Sequence, residues 1–401
     1  MKRVVPQVAR RFFDGWSVPF EPTLTPRVRF DGSPGANLAF PIGHDRVAFT
    51  FNGASAIFNA ARILGLEAPD NVLCPAYNCG HELEPLLSQG LRVKLFAVGD
   101  DLRVDTDDLR RQIDSNTSAV LITHYFGFPQ PIDEIRAVCD EHGLWLIEDC
   151  AHGFLSEPQG RPLGTVGDVA AFSIRKSLPL PNGGALVVND PRLRLDQNLR
   201  APPAPATWNK VFDRWLEALR TERVLGSRSA VPSLAALLPL AVARKAVRRL
   251  PLWDAHAWYD TDSFDFETDA EVLGWRIADV SLRIVERADP HHVRSRRRHN
   301  YRWLVDALGT DVVTPVRRDL PDGVCPLICA VFSDAAVELE GELRARGIEA
   351  LQWWSPAHPA VNWQEHPREF QLKQRIVALP IHQDLDERQL RMIAEAVRTH
   401  H

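Results

Sequence analysis

Lys176 stands in the run Asp168-Val-Ala-Ala-Phe-Ser-Ile-Arg-Lys176-Ser-Leu-Pro-Leu-Pro-Asn-Gly-Gly184, and upstream lies Leu144-Trp-Leu-Ile-Glu-Asp149-Cys-Ala-His152. A lysine amine just past one strand can form a Schiff base with an aldehyde. A carboxylate at the end of another strand can pair with a pyridine nitrogen and keep it protonated, so that the ring accepts electrons. These are the two groups that pyridoxal 5'-phosphate (PLP) requires. Asn52-Gly53-Ala54-Ser55 follows a third strand and opens a helix. Free N–H groups at a helix start bind phosphate, and the Ser55 hydroxyl could add a contact. Taken singly, each feature has an ordinary explanation. Gly and Ser start many helices for capping reasons, Asp149 could be a helix cap, His152 a core-edge histidine and Lys176 a surface lysine. Taken together, they fall in the strand order that a PLP site needs.

The elements that must position these residues are legible from Arg46 to Asp190. Apolar runs at Val47–Phe51, Val72–Pro75, Val93–Val98, Ala119–His124, Leu144–Asp149, Val169–Ile174 and Ala185–Val188 read as strands. Between them, Ala56–Leu64, Glu82–Leu87 and Ile132–His142 read as helices. This alternation predicts an open, mostly parallel sheet with helices on both faces. In such sheets ligands bind at the carboxyl ends of the strands, and Asn52, His124, Asp149 and Lys176 all fall at or just past strand ends.

The segment from 191 to 268 differs and reads as a helical insertion. Val211, Phe212, Trp215, Leu216 and Leu219 share one helix face, with Arg214, Glu217 and Arg220 opposite. Ser229–Ala243 is apolar but short, and it carries Pro232 and Pro239, which excludes a membrane span. It runs into Arg244-Lys-Ala-Val-Arg-Arg249. A basic amphipathic segment over 229–250 can touch a membrane surface; the alternative, which we favour, is packing on the body or on a partner subunit. From Gly274 a long helix is expected through Ile277, Val280, Ile284 and Val285, broken near Pro290. Arg294-Ser-Arg-Arg-Arg298 reads as one solvated helix face. Strands near Val312 and over Leu327–Phe332, a helix over Ala335–Arg346 and a last helix over Glu387–Arg398 complete a smaller α+β domain. The expected division is residues 1–270, a large α/β domain carrying the insertion, and residues 271–401.

Composition sets outer limits. The chain has 401 residues, 45% hydrophobic and 25% charged, which is ordinary for a globular protein long enough for two domains. A net charge of -5 gives no reason to expect nucleic acid as a partner. Cys74, Cys79, Cys139, Cys150, Cys325 and Cys329 lack histidines at metal-site spacing, so they read as reduced thiols and no metal is expected. Met1–Arg11 is basic without an apolar signal core, which points to the cytoplasm.

At this level of detail the chain resembles the DegT/StrS family of fold-type-I PLP enzymes, known mainly as sugar aminotransferases. The matching text is Asn52-Gly-Ala-Ser-Ala56, Cys74-Pro-Ala-Tyr77, His124-Tyr-Phe-Gly127, Glu148-Asp-Cys-Ala-His152, Gly164-Thr-Val-Gly-Asp168, Phe172-Ser173, Lys176-Ser-Leu, Asn182-Gly-Gly-Ala185 and Leu379-Pro-Ile-His382. The resemblance implies a mostly parallel seven-stranded sheet sandwiched by helices, with a smaller C-terminal α+β domain. It implies that Lys176 carries PLP and shuttles the proton, that Asp149 binds the pyridinium and that His152 contacts the ring or its phenolic oxygen. Gly53, Ala54 and Ser173 would hold the phosphate, with Ser55 and Tyr77 also lining the cofactor. It further implies a homodimer with shared active sites and transfer of an amino group from a donor such as glutamate to a keto-sugar, nucleotide-linked in much of the family.

Departures from the pattern are equally specific. Ala54 stands where a threonine is usual. Cys79 stands where an aromatic residue usually stacks on the ring, leaving Tyr77 or His81 as substitutes. The Phe-Ser to Lys gap is two residues shorter, and Gly274 replaces an asparagine that usually reaches the partner's phosphate. Two other readings therefore stand beside the first: a PLP enzyme acting on a non-sugar carbonyl or amino compound, and a non-catalytic relative that kept the fold.

Overall fold

A computed structural model describes residues 18–23, 38–195, 198–224, 270–309 and 313–400. The first part of the chain alternates β1 (Val47–Thr50), α1 (Gly53–Ile63), β2 (Asn71–Pro75), α2 (Glu84–Leu87), β3 (Arg92–Phe96), α3 (Thr106–Gln112), β4 (Thr117–Thr123), α4 (Ile132–His142), β5 (Trp145–Cys150), β6 (Val169–Phe172) and β7 (Gly184–Val188). These strands form one sheet in the order β1-β7-β6-β5-β4-β2-β3. The pairings from β3 to β6 are parallel, and β7 and β1 add antiparallel edges. The central strands are buried along their length because they are covered on both faces. One apolar cluster holds Ile147, Val169 and the α1 alanines, and another holds Leu146, Ile122 and α4 residues. The mostly parallel α/β sheet expected from the sequence is the observed one.

Beyond β7, α5 (Ala204–Val224) is a helix where one was expected through Val211–Leu219. The apolar and basic segment over 229–250 lies outside the described residues. The expected long helix from Gly274 is not formed. Instead α6 (Ala270–Leu273) stops, and the chain crosses the sheet edge in extended form. There Phe51 donates to Trp275 O, and Ile277 donates to Phe49 O. Arg276 N–H, which a helix would also have used, goes to Arg200 O. Helix α7 (Asp279–Val285) follows, and α8 (Pro290–Leu308) starts at the proline rather than breaking there. A proline fits the first helical turn, and the Asp289 side chain accepts from the His291 and His292 N–H groups at 3.0 Å.

The remaining elements are β8 (Thr314–Pro315), β9 (Ile328–Phe332), α9 (Ala336–Ala345), β10 (Leu351–Gln352), α10 (Pro367–Arg375), β11 (Ile376–Pro380) and α11 (Glu387–Arg398). Their strands make a second, antiparallel sheet in the order β10-β11-β9-β8. Val312 lies outside the described residues. The largest apolar cluster joins this sheet to Tyr77, Tyr125 and Phe126, so C-terminal side chains reach the carboxyl ends of β2 and β4.

The arginine run on α8 is not one solvated face. Arg297 is 1% exposed. Its guanidinium donates to Gln383 Oε1 at 2.9 Å, Leu327 O at 2.8 Å and Ser177 O at 3.3 Å. Arg298 donates to Val324 O at 2.6 Å, and Arg294 pairs with Glu157 at 2.8 Å. One turn of helix separates side chains that enter the protein from those that skirt it.

Candidate active site

Lys176 ends a single tight turn, Ile174–Lys176, that leaves β6. The turn is closed by Lys176 N–H to Ser173 O and by Arg175 N–H to Gly183 O. Gly184 is required here. A Cβ on it would lie 2.3 Å from Asn52 O, so only glycine lets β7 pass the start of α1. The loop carrying Lys176 is thereby tied to the loop carrying Gly53. From the other side, Arg297 and Gln383 both donate to Ser177 O, the latter at 3.0 Å.

Asp149 projects from the end of β5, in register with Thr123 of β4. Its carboxylate accepts from Ala151 N–H at 2.8 Å and from the Thr123 hydroxyl at 3.3 Å. Burial pushes its pKa up to about 6; the Glu82 charge adds to the rise, and Lys176 opposes it. Lys176 is thus near enough for its charge to act on Asp149, and it acts likewise on His152 and Cys79.

His152 is fully buried, and burial together with Lys176 holds its pKa well below the ordinary value, so the ring is neutral. Its Nδ1 accepts from Phe126 N–H at 3.2 Å, which assigns the proton to Nε2. That Nε2–H is buried and has no partner among the described residues. A buried donor without a partner is costly, and a ligand oxygen would satisfy it.

At the phosphate end, Asn52 caps α1 by accepting from Ser55 N–H at 2.8 Å. This leaves Gly53 and Ala54 at the first turn. A Cβ on Gly53 would lie 3.3 Å from Ser173 Cβ and 3.9 Å from Ala151 Cβ, so the start of α1, the end of β6 and the residue before His152 converge. Ser55 departs from its expected role, because its hydroxyl donates to Val272 O and ties α1 to α6. Tyr77 is buried, its carbonyl accepts from the Tyr125 hydroxyl at 2.6 Å, and its own hydroxyl has no partner among the described residues.

Position 79 offers no aromatic face. The Cys79 thiol donates to Glu82 Oε2 at 2.7 Å. His124 does not join the site as a reactive group; it donates through Nε2 to Glu148 at 2.8 Å while its Nδ1 accepts from Gln130 N–H. Glu148 also accepts from the Gly164 and Val166 N–H groups, fixing the loop that leads into β6. Residues not singled out from sequence complete the neighbourhood. Phe126 stacks on His152 at 5.8 Å, and Trp353 and Trp354 approach the same ring at 5.5 and 5.3 Å. The Trp-Trp doublet was the available signal. A cavity of about 190 Å³ beside Gly153 and Phe172 lies next to this set but does not include Lys176 or Asp149.

Residues 36–204 match the model of the DegT/DnrJ/EryC1/StrS aminotransferase family. Over 151 residues the chain is 34% identical to GDP-perosamine synthase of Vibrio cholerae, covering 37% of this chain and 41% of that one. It is 34% identical over 163 residues to dTDP-4-dehydro-2,3,6-trideoxy-D-glucose 4-aminotransferase of Saccharopolyspora spinosa, covering 39% and 42%. The alignments therefore span about two-fifths of each curated relative. Among solved structures, a sugar aminotransferase from Micromonospora echinospora superposes with a TM-score of 0.59 at 22% identity, covering 89% of this chain and 88% of that one. That likeness establishes the shared fold.

Proposed function

We propose that this chain, whose residues 36–204 match the model of the DegT/DnrJ/EryC1/StrS aminotransferase family, is a PLP-dependent aminotransferase that moves an amino group from a donor such as glutamate to a nucleotide-linked keto-sugar. The observation that carries the reading is the neutral His152, whose buried Nε2–H has no partner among the described residues, beside a Lys176 whose charge reaches both it and Asp149. The family is PLP-dependent, and the residues present fit that cofactor. When bound, PLP supplies an electron sink and a carbonyl that exchanges amino groups.

The protein's own groups divide the work. Lys176 would hold the cofactor through its amine, and the same amine would serve as the base that moves the proton at the substrate carbon. Asp149, as the carboxylate, would pair with the pyridine nitrogen. His152 would donate from Nε2 to the phenolic oxygen. The Ser173 hydroxyl and the N–H groups of Gly53 and Ala54 hold the phosphate, with the start of α1 favouring its charge. Tyr77 lines the site. The two relatives named above support the sugar-nucleotide acceptor, since one is named for GDP-perosamine and the other for a dTDP-sugar.

We place the enzyme in the cytoplasm as a homodimer, with 1–270 and 271–401 as its two domains. Among the described residues no helix is long and apolar enough to cross a membrane. Trp208 and Trp215, one α5 face apart by seven residues, are 63% and 43% exposed, and a second copy would cover them. The test of function is incubation with PLP, glutamate and a panel of GDP- and dTDP-linked keto-sugars, with mass spectrometry of the products. An aminated sugar nucleotide is expected. Glutamate-dependent amination of non-sugar carbonyls alone would overturn the acceptor assignment, and no cofactor binding at all would overturn the whole reading.

A further inference from the structure

The site needs a flat apolar face for the cofactor ring, and Cys79, engaged with Glu82, does not supply one. An indole from the C-terminal domain stands nearby. Trp354 lies 5.3 Å from the His152 ring and 5.0 Å from the Tyr77 ring, and Trp353 stacks beside it at 5.9 Å. Trp354 has φ +62°, and Phe126, on His152 as well, has φ +56°. Bulky residues rarely take this left-handed conformation, and it persists where the surroundings over-determine it, commonly at ligand sites. Three buried polar atoms without partners among the described residues belong to the same cluster: Tyr77 Oη, His152 Nε2 and Trp353 Nε1. A packing core would leave none of these unmet; a site awaiting a polar ring would leave all three.

We propose that Trp354 is the aromatic face of the cofactor site, taking from the C-terminal domain the place that position 79 leaves empty of an aromatic ring. This rests on the PLP reading above. Its consequence is that the cofactor site spans both domains: the large sheet supplies Asp149, His152 and Lys176, and the loop after β10 supplies the ring that covers them.

Three measurements on the full-length protein test this with Trp354→Phe and Trp354→Leu: PLP affinity by titration of the visible band, the circular dichroism of that band, and Tm without cofactor. The leucine variant should bind PLP roughly three- to tenfold more weakly and lose most of the dichroism, as loss of a ring–ring contact implies. The phenylalanine variant should stay within about twofold of wild type on that scale and keep the dichroism. If the leucine protein does not fold, Trp354→Met carries the same expectation. Leucine and wild-type proteins alike in affinity and dichroism, whatever the Tm, would mean that Trp354 only packs, and would overturn the inference while leaving the function intact. A phenylalanine variant as weak as leucine would overturn it too. A wild-type protein that forms no visible band would overturn the proposed function and this inference with it.

Discussion

Arg297 of α8 donates its guanidinium to the carbonyl oxygen of Ser177, the residue after Lys176. No carboxylate lies within ion-pair distance of this buried arginine among the described residues, and burial holds its pKa below the ordinary value. The charges of Asp384 and Glu21 reach it without touching it, and a cation kept out of water with no carboxylate in contact is expensive, so its hydrogen bonds must matter. They are the Lys176 turn, Gln383 and the start of β9. Arg297 is a positioning residue that locks the lysine's turn to the C-terminal domain.

Arg297→Met should therefore slow the rise of the visible band when PLP is added to cofactor-free protein, because the Lys176 amine is less well held. Loss of hydrogen bonds to a charged group costs about 1.5–3 kcal/mol, so a decrease of roughly tenfold or more in rate is expected, with a lower Tm. Arg297→Lys, which can reach one carbonyl, should recover part of the rate. An unchanged rate with only a lower Tm would reduce Arg297 to domain packing.

Asp149→Asn should have opposite effects on the empty and the loaded protein. In the cofactor-free fold the carboxyl pKa is raised from 3.8 to about 6. The favourable contribution of the neutral form is present below pH 4 and is lost as pH rises through 6. At pH 8 the asparagine variant without PLP should accordingly be more stable than wild type, by up to about 3 kcal/mol. Its PLP affinity should fall by the equivalent of about 1.5–3 kcal/mol, since the charge-assisted contact is gone. Wild-type affinity should also weaken as pH drops below about 6, by up to tenfold per unit, whereas the variant should lack this Asp149-dependent part. Denaturation and titration across pH 5–8 measure both. A variant with near-normal affinity would make Asp149 only a cap for Ala151 N–H.

Sequence reasoning reached the first seven strands because each is a short apolar run closed by a turn signal, and the parallel order follows from the alternation. It grouped Lys176, Asp149, His152, Gly53 and Ser173 as one candidate site because strand ends converge in such sheets; the structure sets Gly53 beside Ser173, and Lys176 near enough to Asp149 and His152 for its charge to act on both. It misread Arg297, since four arginines in five residues look solvated; the partners that bury one of them sit 30 and 86 residues away. It expected a helix across Gly274–Ile277 because the apolar spacing allows one, but Arg276 N–H pairs with Arg200 O and Ile277 N–H with Phe49 O of β1 instead. The Trp353-Trp354 doublet was the one sequence signal for Trp354, and it gives no position, because only the docking of the second sheet carries the residue to His152. Ser55 was plausible as a phosphate ligand until α6 supplied Val272 O.

Trp208→Ser with Trp215→Ser should weaken self-association. Both indoles are exposed on α5, and each buried indole contributes about 1.5–3 kcal/mol or more to an interface that covers it. Sedimentation velocity should show a wild-type dimer and a variant shifted toward monomer at micromolar concentration. A variant that stays fully dimeric would place the subunit interface elsewhere.

The most direct test of the central claim is where PLP becomes attached. Protein loaded with PLP, reduced with borohydride and digested should yield one modified peptide, with the label on Lys176, and Lys176→Ala should show neither the label nor the visible band. A label on Lys94, Lys210 or any other lysine, or a visible band that survives in the alanine variant, would contradict the account.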